Sequence, residues 1–383
     1  MDILSPSQAA AIAVGVYSLR DEPSATRSKM IDPLNIEGLF GDSKRFTGTS
    51  GALMFKPLTG FGFVAAGVGP FAGDLLIATR GTDTIPDWLT DGNIGVQFGP
   101  GGRMVHAGFN ETWKSFAPAL REFLRGRNPT RIHCVGHSLG GALAFLNADF
   151  ITANRIADVR LYTFGAPRAG SDAFARQLTD RVKKENIYRV SNPVDPVPMI
   201  PIFPFFHLPY NEEGLQIGRT SNMPVSFAGH KMAVSYAPGV AGKAWSDLRV
   251  AAPGEREVKG WLENAAAGYG GAIMGGAKLL DMIGRALAYL VKLAGKLAVG
   301  TVGLGFAAGM TVIDQVAWLL TKAAQISAEM STGLLMLVGM IFKFLGRTLV
   351  QGMQITTAFL RWVLDLLFSS LRSAAHRALS FLG

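Results

Sequence analysis

The chain has 383 residues, of which 17% are charged and 49% hydrophobic, with a formal net charge of +9 and a mean hydropathy of +0.25. This composition is too apolar for an ordinary nucleic-acid binder, whereas the positive charge suits an anionic membrane surface. A single cysteine, Cys134, excludes an internal disulfide framework, and Cys and His residues are not clustered as zinc sites require, so we expect no metal and no cofactor.

The first element in chain order is an apolar segment at residues 8–19. The residues before it include Asp2 and no basic residue, which is not the pattern of a secretory signal peptide. Ser5 or Ser7 is instead expected to cap an amphipathic helix. We therefore expect synthesis in the cytoplasm without a classical signal peptide.

Residues 48 to 235 alternate short apolar runs with segments of helical period, the pattern of a sheet whose strands are linked by helices. This pattern predicts an α/β fold for a catalytic domain spanning 1–250. The predicted strands are 51–55, 61–67, 74–79, 131–136, 159–164 and 187–191, and the predicted helices are 109–125 and 140–156.

A second region, 251–383, is dominated by Ala, Gly, Leu, Val and Met. From Lys278 to the end, ten Lys and Arg residues stand against four acidic ones, an excess of +6. These features predict an apolar, cationic helical domain. Its helices either contact a membrane or form a bundle packed on the enzyme, with the basic residues on its outer face.

Three uncharged runs bear on that choice. Residues 297–313 reach the lower limit for spanning a bilayer, and they contain Gly305 and Gly309 at the spacing that lets apolar helices approach closely. The runs 330–342 and 348–360 have lengths that suit interfacial or buried helices.

The sequence Gly136-His137-Ser138-Leu139-Gly140 matches the G-x-S-x-G motif of a nucleophile elbow. In a chain with 46 glycines the motif alone is a weak signal. A predicted strand precedes it and a helix rich in small residues follows it, as the strand-turn-helix geometry requires. Ser138 is therefore the predicted nucleophile.

A serine hydroxyl needs a histidine to accept its proton and an acid to orient that histidine, and in this fold both follow the serine in the chain. Asp195 is the preferred acid because it lies just past a predicted strand, whereas Asp172 and Asp180 belong to a helical segment. Two candidate bases remain. We prefer His230, at the start of a helical stretch, and keep His207, in an aromatic and proline-rich loop, as the second choice.

The tetrahedral intermediate of acyl transfer also needs donors for its oxyanion. The backbone N–H of Leu139 is expected to supply one from the elbow itself. Thr82, at the end of a predicted strand, offers the second through its N–H and hydroxyl, and it could equally cap the segment that begins at Ile85.

Four sequence blocks together resemble the class 3 lipase family, which has the α/β-hydrolase fold, and the resemblance covers roughly residues 45 to 240. The blocks are Thr79-Arg80-Gly81-Thr82 with Asp87-Trp88-Leu89 and Asp91; Val105-His106-Ala107-Gly108-Phe109; Val135-Gly136-His137-Ser138-Leu139-Gly140-Gly141-Ala142; and Thr163-Phe164-Gly165-Ala166-Pro167-Arg168 followed by Asp195-Pro196-Val197-Pro198.

This resemblance implies a triad of Ser138, Asp195 and His230, with Thr82 and Leu139 in the oxyanion hole. It also implies a lid over residues 85–93, with Ile85 at its start and Trp88 as its apolar anchor. A buried structural tryptophan is the alternative interpretation of Trp88.

The resemblance does not cover 254–383. A hydrolase joined to a cationic helical tail is similar to antibacterial lipase effectors of bacterial type VI secretion. That similarity implies export by a specialised secretion system, an inhibitory immunity protein as partner, and membrane association at the target.

We accordingly expect a serine-dependent lipid ester hydrolase, a phospholipase of the A type or a lipase, with phospholipid as the preferred substrate. Triacylglycerol or another hydrophobic ester is the alternative substrate. The alternative function is membrane permeabilisation by the helical tail.

Overall fold

The computed structural model describes most of the chain. The described residues are 3–19, 38–48, 59–81, 95–201, 205–210, 212, 214–218, 220, 226, 228–249, 255–266, 276–298, 312–348 and 354–380.

Within the described residues, the centre of the fold is a seven-stranded mixed sheet. The sheet order is β1 (Phe40–Gly48), β2 (Thr59–Gly67), β3 (Leu75–Thr79), β6 (Arg131–His137), β7 (Asp158–Phe164), β8 (Ile187–Ser191) and β9 (Leu215–Gln216). β2 pairs antiparallel with both β1 and β3, and the pairs from β3 to β9 are parallel. A separate antiparallel hairpin joins β4 (Val96–Phe98) to β5 (Met104–His106).

Helices cover both faces of the sheet. They are α1 (Pro6–Gly15), α2 (Ala107–Leu124), α3 (Leu139–Ala153), α4 (Asp172–Val182) and the short α5 (Ala237–Val240). Successive residues of a strand point to opposite faces. Ile77 accordingly packs in the core with α2, α3 and α4, whereas its neighbour Leu76 packs in the core with α1.

The predicted strands at 61–67, 74–79, 131–136, 159–164 and 187–191 are confirmed as β2, β3, β6, β7 and β8, and the predicted helices correspond to α2 and α3. The predicted strand 51–55 lies outside the described residues. The strands β1, β4, β5 and β9 were not predicted. The nine residues of β1 include Asp42, Lys44 and Arg45, because an edge strand tolerates charge that a central strand does not.

The N-terminal segment is fastened to the sheet by its first described residues. Ser5 caps α1 and forms a capping box with Gln8, as one of the two serines was expected to do. The backbone N–H of Leu4 donates to the Tyr162 hydroxyl at 3.0 Å, and the Trp245 indole donates to the Leu4 carbonyl at 2.8 Å. These two bonds join the beginning of the described chain to β7 and to residue 245.

The region after residue 254 is helical where it is described. Its helices are α6 (Glu255–Ala266), α7 (Gly276–Ala298), α8 (Val312–Ile326), α9 (Ala328–Phe344) and α10 (Thr357–Ser380). They pack against one another, and their buried apolar side chains continue the core that contains α2, α3 and α4. The division of the chain into domains at about residue 250 stays a prediction.

The described helices were compared with the length and apolar character that crossing a bilayer requires. Among the residues the structure describes, no helix combines the two. The Gly305-x-x-x-Gly309 pattern lies in 299–311, outside the described residues.

Two buried histidines of the sheet region, His106 and His133, are held in their neutral form. His106 caps α2 by accepting from the N–H of Phe109, and burial lowers its pKa to about 3. His133 lies between Asp74 and the Tyr162 hydroxyl, and burial lowers its pKa to about 4 despite the carboxylate.

These shifts predict that the free energy of unfolding falls as the pH drops from about 6.5 to about 4, because the unfolded chain binds protons that the buried imidazoles exclude. Each histidine contributes a slope of about 1.4 kcal/mol per pH unit in that window. Asp149 opposes this trend, since burial raises its pKa to about 6, but it is one carboxyl against these two imidazoles and those of His137 and His207, whose pKa values burial also lowers.

Denaturant unfolding of the protein and of His106→Asn at about pH 7 and about pH 5 measures the slope. Asparagine keeps a capping acceptor without titrating. The dependence of the unfolding free energy on pH should therefore be weaker in the variant by about 1.4 kcal/mol per pH unit, the contribution of one histidine. An unchanged slope would contradict the assignment to His106.

Candidate active site

The candidate site is built around the turn between β6 and α3, where Ser138 has φ 58° and ψ −131°. A positive φ is strained for a residue with a side chain. Glycines on either side allow the turn: a Cβ at Gly136 would overlap the carbonyl of Gly140, and a Cβ at Gly140 would overlap the carbonyl of Thr79. The sequence thus folds locally into a tight strand-turn-helix junction with the serine at its tip.

Ser138, His230 and Asp195 form a continuous hydrogen-bonded series. His230 Nε2 lies 2.9 Å from Ser138 Oγ, and His230 Nδ1 lies 2.7 Å from Asp195 Oδ2. All three side chains are buried, and the histidine and the aspartate are fully so. With Nδ1–H donating to the carboxylate, Nε2 is the ring atom that can accept the serine proton.

Asp195 is held by two further donors. The Tyr236 hydroxyl donates to Oδ2 at 2.6 Å, and the N–H of Val197 donates to Oδ1 at 2.9 Å. Burial, and then the neighbouring carboxylate, raise the pKa of Tyr236 well above its ordinary value, so the phenol keeps its proton. The carboxylate therefore faces His230 in a fixed orientation.

Asn192 links the loop of the acid to the loop of the base. Its side-chain amide donates to the Gly229 carbonyl at 3.2 Å and to the Ser235 hydroxyl at 2.9 Å, while its backbone N–H donates to the Tyr236 hydroxyl. Tyr236 ends a π-helix, Met232–Tyr236, a rare element that is frequent at functional sites. Sequence reasoning missed Asn192 and the hydroxyl of Tyr236, because the contacts depend on this local winding.

His137 lies beside the serine, and its ring turns toward the base. Its Nε2–H donates to the carbonyl of His230 at 2.8 Å, and its Nδ1 accepts from the Tyr17 hydroxyl at 2.7 Å. Burial, and then the neighbouring His230, lower the pKa of His137 well below its ordinary value. The neutral ring therefore fixes the backbone of His230, and Tyr17 brings the N-terminal segment into the site, a contact no local signal predicted.

His207, the second-choice base, is engaged elsewhere. Its Nε2–H donates to the Pro198 carbonyl at 2.7 Å. Burial, followed by the charges of Arg189, Arg168 and Arg285, lowers its pKa well below the ordinary value. Among the described residues, the histidine that the structure brings to Ser138 is His230.

The oxyanion donors are only partly described. Leu139 is the first residue of α3, so its N–H belongs to the turn of donors that a helix leaves at its N-terminus. Thr82, and the predicted lid residues Ile85 and Trp88, lie outside the described residues. The chain before them passes against the elbow, because a Cβ at Gly81 would lie 3.1 Å from the Ser138 Cβ.

In the described part of the chain, no group of three or more His, Cys, Asp and Glu side chains is arranged to hold a metal ion. The hydrogen-bonded series of hydroxyl, imidazole and carboxylate is itself an arrangement for nucleophilic acyl transfer. The geometry thus suits proton transfer from Ser138 Oγ to His230 as the hydroxyl attacks a carbonyl carbon.

Comparison with known proteins gives a family for this region. Residues 76–205 match the family model described as lipase (class 3). The secreted mono- and diacylglycerol lipase 1 of Fusarium solani is 34% identical over 142 residues, 35% of this chain and 42% of that protein. Phospholipase A(1) DAD1 of Arabidopsis thaliana is 31% identical over 155 residues, 33% of this chain and 34% of that protein.

The toxin TseL of Vibrio cholerae serotype O1 is 36% identical over 102 residues, 26% of this chain and 15% of that protein. The chain therefore spans less than half the length of each of these relatives. The matched segment includes the elbow, the strands on both sides of it and Asp195. Over residues 76–205, this chain is thus similar to the class 3 lipase family.

Proposed function

We propose that the protein is a serine-dependent lipid ester hydrolase that cleaves phospholipids at an acyl ester, the A-type reaction, at a membrane surface. The observation that carries this proposal is the hydrogen-bonded series from Ser138 Oγ through His230 to Asp195, at the tip of a strained elbow. We assign Ser138 as nucleophile, His230 as base and Asp195 as the acid that orients it.

In the first half-reaction, His230 Nε2 takes the proton of Ser138 as Oγ attacks the ester carbonyl carbon. The N–H groups of Leu139 and Thr82 are the proposed donors to the oxyanion. The intermediate collapses to an acyl-enzyme, and the leaving alcohol takes the proton back from His230. Water then attacks the acyl carbon, with His230 again as base, and releases the fatty acid.

Asp195 stabilises the imidazolium that forms in each half-reaction. Tyr236 and the N–H of Val197 keep that carboxylate aimed at Nδ1. His137 and Asn192 act one step further out, on the backbone of residues 229 and 230. These four are positioning residues, because they act through the acid and the base.

Phospholipid is the proposed substrate for two reasons. The helical region 251–383 carries most of the net positive charge, which would concentrate the protein on anionic bilayers. One relative of the matched region is named a phospholipase A(1). Neutral glycerides are the alternative, since another relative is named a mono- and diacylglycerol lipase.

We further propose that the protein is an exported antibacterial effector with an inhibitory immunity protein as its partner. Its support is the similarity of part of the chain to a protein named as a toxin, together with the added cationic helical region. The proposal is tested by expressing the chain in the periplasm of a susceptible bacterium and following growth with and without Ser138→Ala.

Removal of the Ser138 hydroxyl tests the proposed nucleophile. Ser138→Ala should lower fatty-acid release from phosphatidylglycerol/phosphatidylethanolamine vesicles by about 10⁴-fold or more, because the proposed acyl-enzyme forms on the Ser138 Oγ that this change removes. The exposed Ser246 gives a matched control, and Ser246→Ala should retain full activity. Dye leakage that persists with Ser138→Ala would instead support permeabilisation by the helical tail.

Removal of the Tyr236 hydroxyl tests whether its hydrogen bond to Asp195 supports catalysis. Tyr236→Phe removes one donor to Asp195 and should lower kcat about tenfold with little change in KM, since about 1.4 kcal/mol of transition-state stabilisation is lost. Tyr210→Phe is the control, because that hydroxyl accepts from Arg176 at the surface. An equal loss in both variants, or a change confined to KM, would contradict the positioning role.

A further inference from the structure

The helix α10 carries two apolar stripes. Leu360, Val363, Leu364, Leu367 and Leu371 are buried in the bundle. Phe359, Trp362 and Leu366, at helical spacing, form the second stripe, roughly 120° around the helix from the first. This second stripe is only partly covered, and 44% of Trp362 is exposed. A bundle helix needs one buried stripe, so the second is available for another contact.

The second stripe continues onto α9 through a cluster of aromatic rings. The ring of Phe342 lies 6.2 Å from that of Phe359 and 6.1 Å from that of Trp362, and the last two are 5.7 Å apart. On α9, Leu335 and Gly339 precede Phe342 on the same side of the helix. We call these five residues, Leu335, Gly339, Phe342, Phe359 and Trp362, the aromatic face.

The aromatic face includes surface open to contact. Leu335 is 41% exposed, and a Cβ at Gly339 would meet nothing within 4 Å. Leu335, Gly339 and Phe342 span about 10 Å along α9, at a rise of roughly 1.5 Å per residue. The aromatic face thus has an exposed leucine beside an open glycine on α9 and an exposed tryptophan on α10, and the buried ring of Phe342 contacts that tryptophan.

Positive charge borders this patch. Lys343 and Arg347 are exposed at the end of α9, where Gly346 with φ +66° terminates the helix. On α10, Arg361 pairs with Asp314 at 3.0 Å and lies 3.7 Å from Asp365, so this one cation is shared by two carboxylates. The helical region as a whole is cationic, with ten basic against four acidic residues from Lys278 to the end.

We propose that the aromatic face is the surface by which the protein docks on an anionic phospholipid bilayer. Tryptophan favours the membrane interface, and nearby Lys and Arg side chains are attracted to anionic headgroups. A second copy of the same cationic region would be repelled, whereas an anionic surface is attracted. The inference rests on the proposed function for its choice of lipid, but docking requires no hydrolysis.

The test uses the full chain with Ser138→Ala, so that the vesicles stay intact. Tryptophan fluorescence is recorded while phosphatidylglycerol/phosphatidylethanolamine vesicles with brominated acyl chains are added. We expect quenching that is lost in Trp362→Phe and retained in Trp318→Phe, which changes a partly buried tryptophan of α8. Quenching that is equal in both variants overturns the proposal.

Binding is measured in parallel by flotation with the same vesicles. Lys343→Glu combined with Arg347→Glu should weaken binding by about tenfold or more, since each basic residue near the surface contributes on the order of 1 kcal/mol. Lys243→Glu, in the hydrolase region and also exposed, should change binding little. Equal weakening by the two changes indicates net charge alone and overturns the proposal.

A third variant distinguishes a second copy from a bilayer. Leu335→Glu should weaken vesicle binding while the chain stays monomeric without lipid. A dimer that dissociates in this variant would assign the face to self-association and overturn the proposal. Hydrolysis of a soluble short-chain ester, measured with Ser138 intact, should be unchanged in all these variants. Its absence in the unaltered protein would refute the proposed activity and leave the docking result independent.

Discussion

The geometry at Ser138 depends on one constraint, the close approach of β6, the turn and α3. The serine occupies a positive φ, and Gly136 and Gly140 leave no room for a Cβ against the carbonyls of Gly140 and Thr79. Gly141 is confined as well, by Ala166 just past the end of β7. The turn is therefore clamped between two neighbouring strands, which is how a strained backbone persists.

The elbow alone does not make the serine reactive, because its partners come from distant loops. Asp195 lies just past β8 and His230 follows β9, so both depend on the parallel strands for their position. Asn192, Tyr236 and His137 connect these loops by hydrogen bonds inside the protein. Such buried networks are strong when every member is paired, whereas a member left without a partner costs free energy in the low-dielectric interior.

A feature of this site could be predicted from the sequence when the residues that form it lie close together along the chain. The elbow at Ser138 was predictable because motif, strand and helix lie within 25 residues of one another. The choice between His230 and His207 was not, because it depends on the π-helix at 232–236 and on whether an imidazole faces the serine or the Pro198 carbonyl. Tyr17 is 120 residues from His137, and only the fold brings the two together.

For the helical region, the sequence could not distinguish a buried helix face from one that contacts lipid. An apolar stripe with recurring charges has the same sequence pattern whether it faces a core or a lipid surface, so the sequence left both interpretations open. The structure gives the helices a buried face that continues the core of α2, α3 and α4, and α7 passes close to the loop after β7, where a Cβ at Gly284 would lie 4.0 Å from Arg168. A helix with one apolar stripe cannot pack that stripe in a core and against a bilayer at the same time, but α10 has two apolar stripes. The buried stripe accounts for packing within the bundle. The second, with Trp362, is the surface that we propose for membrane contact, so a folded bundle and docking on a bilayer are compatible.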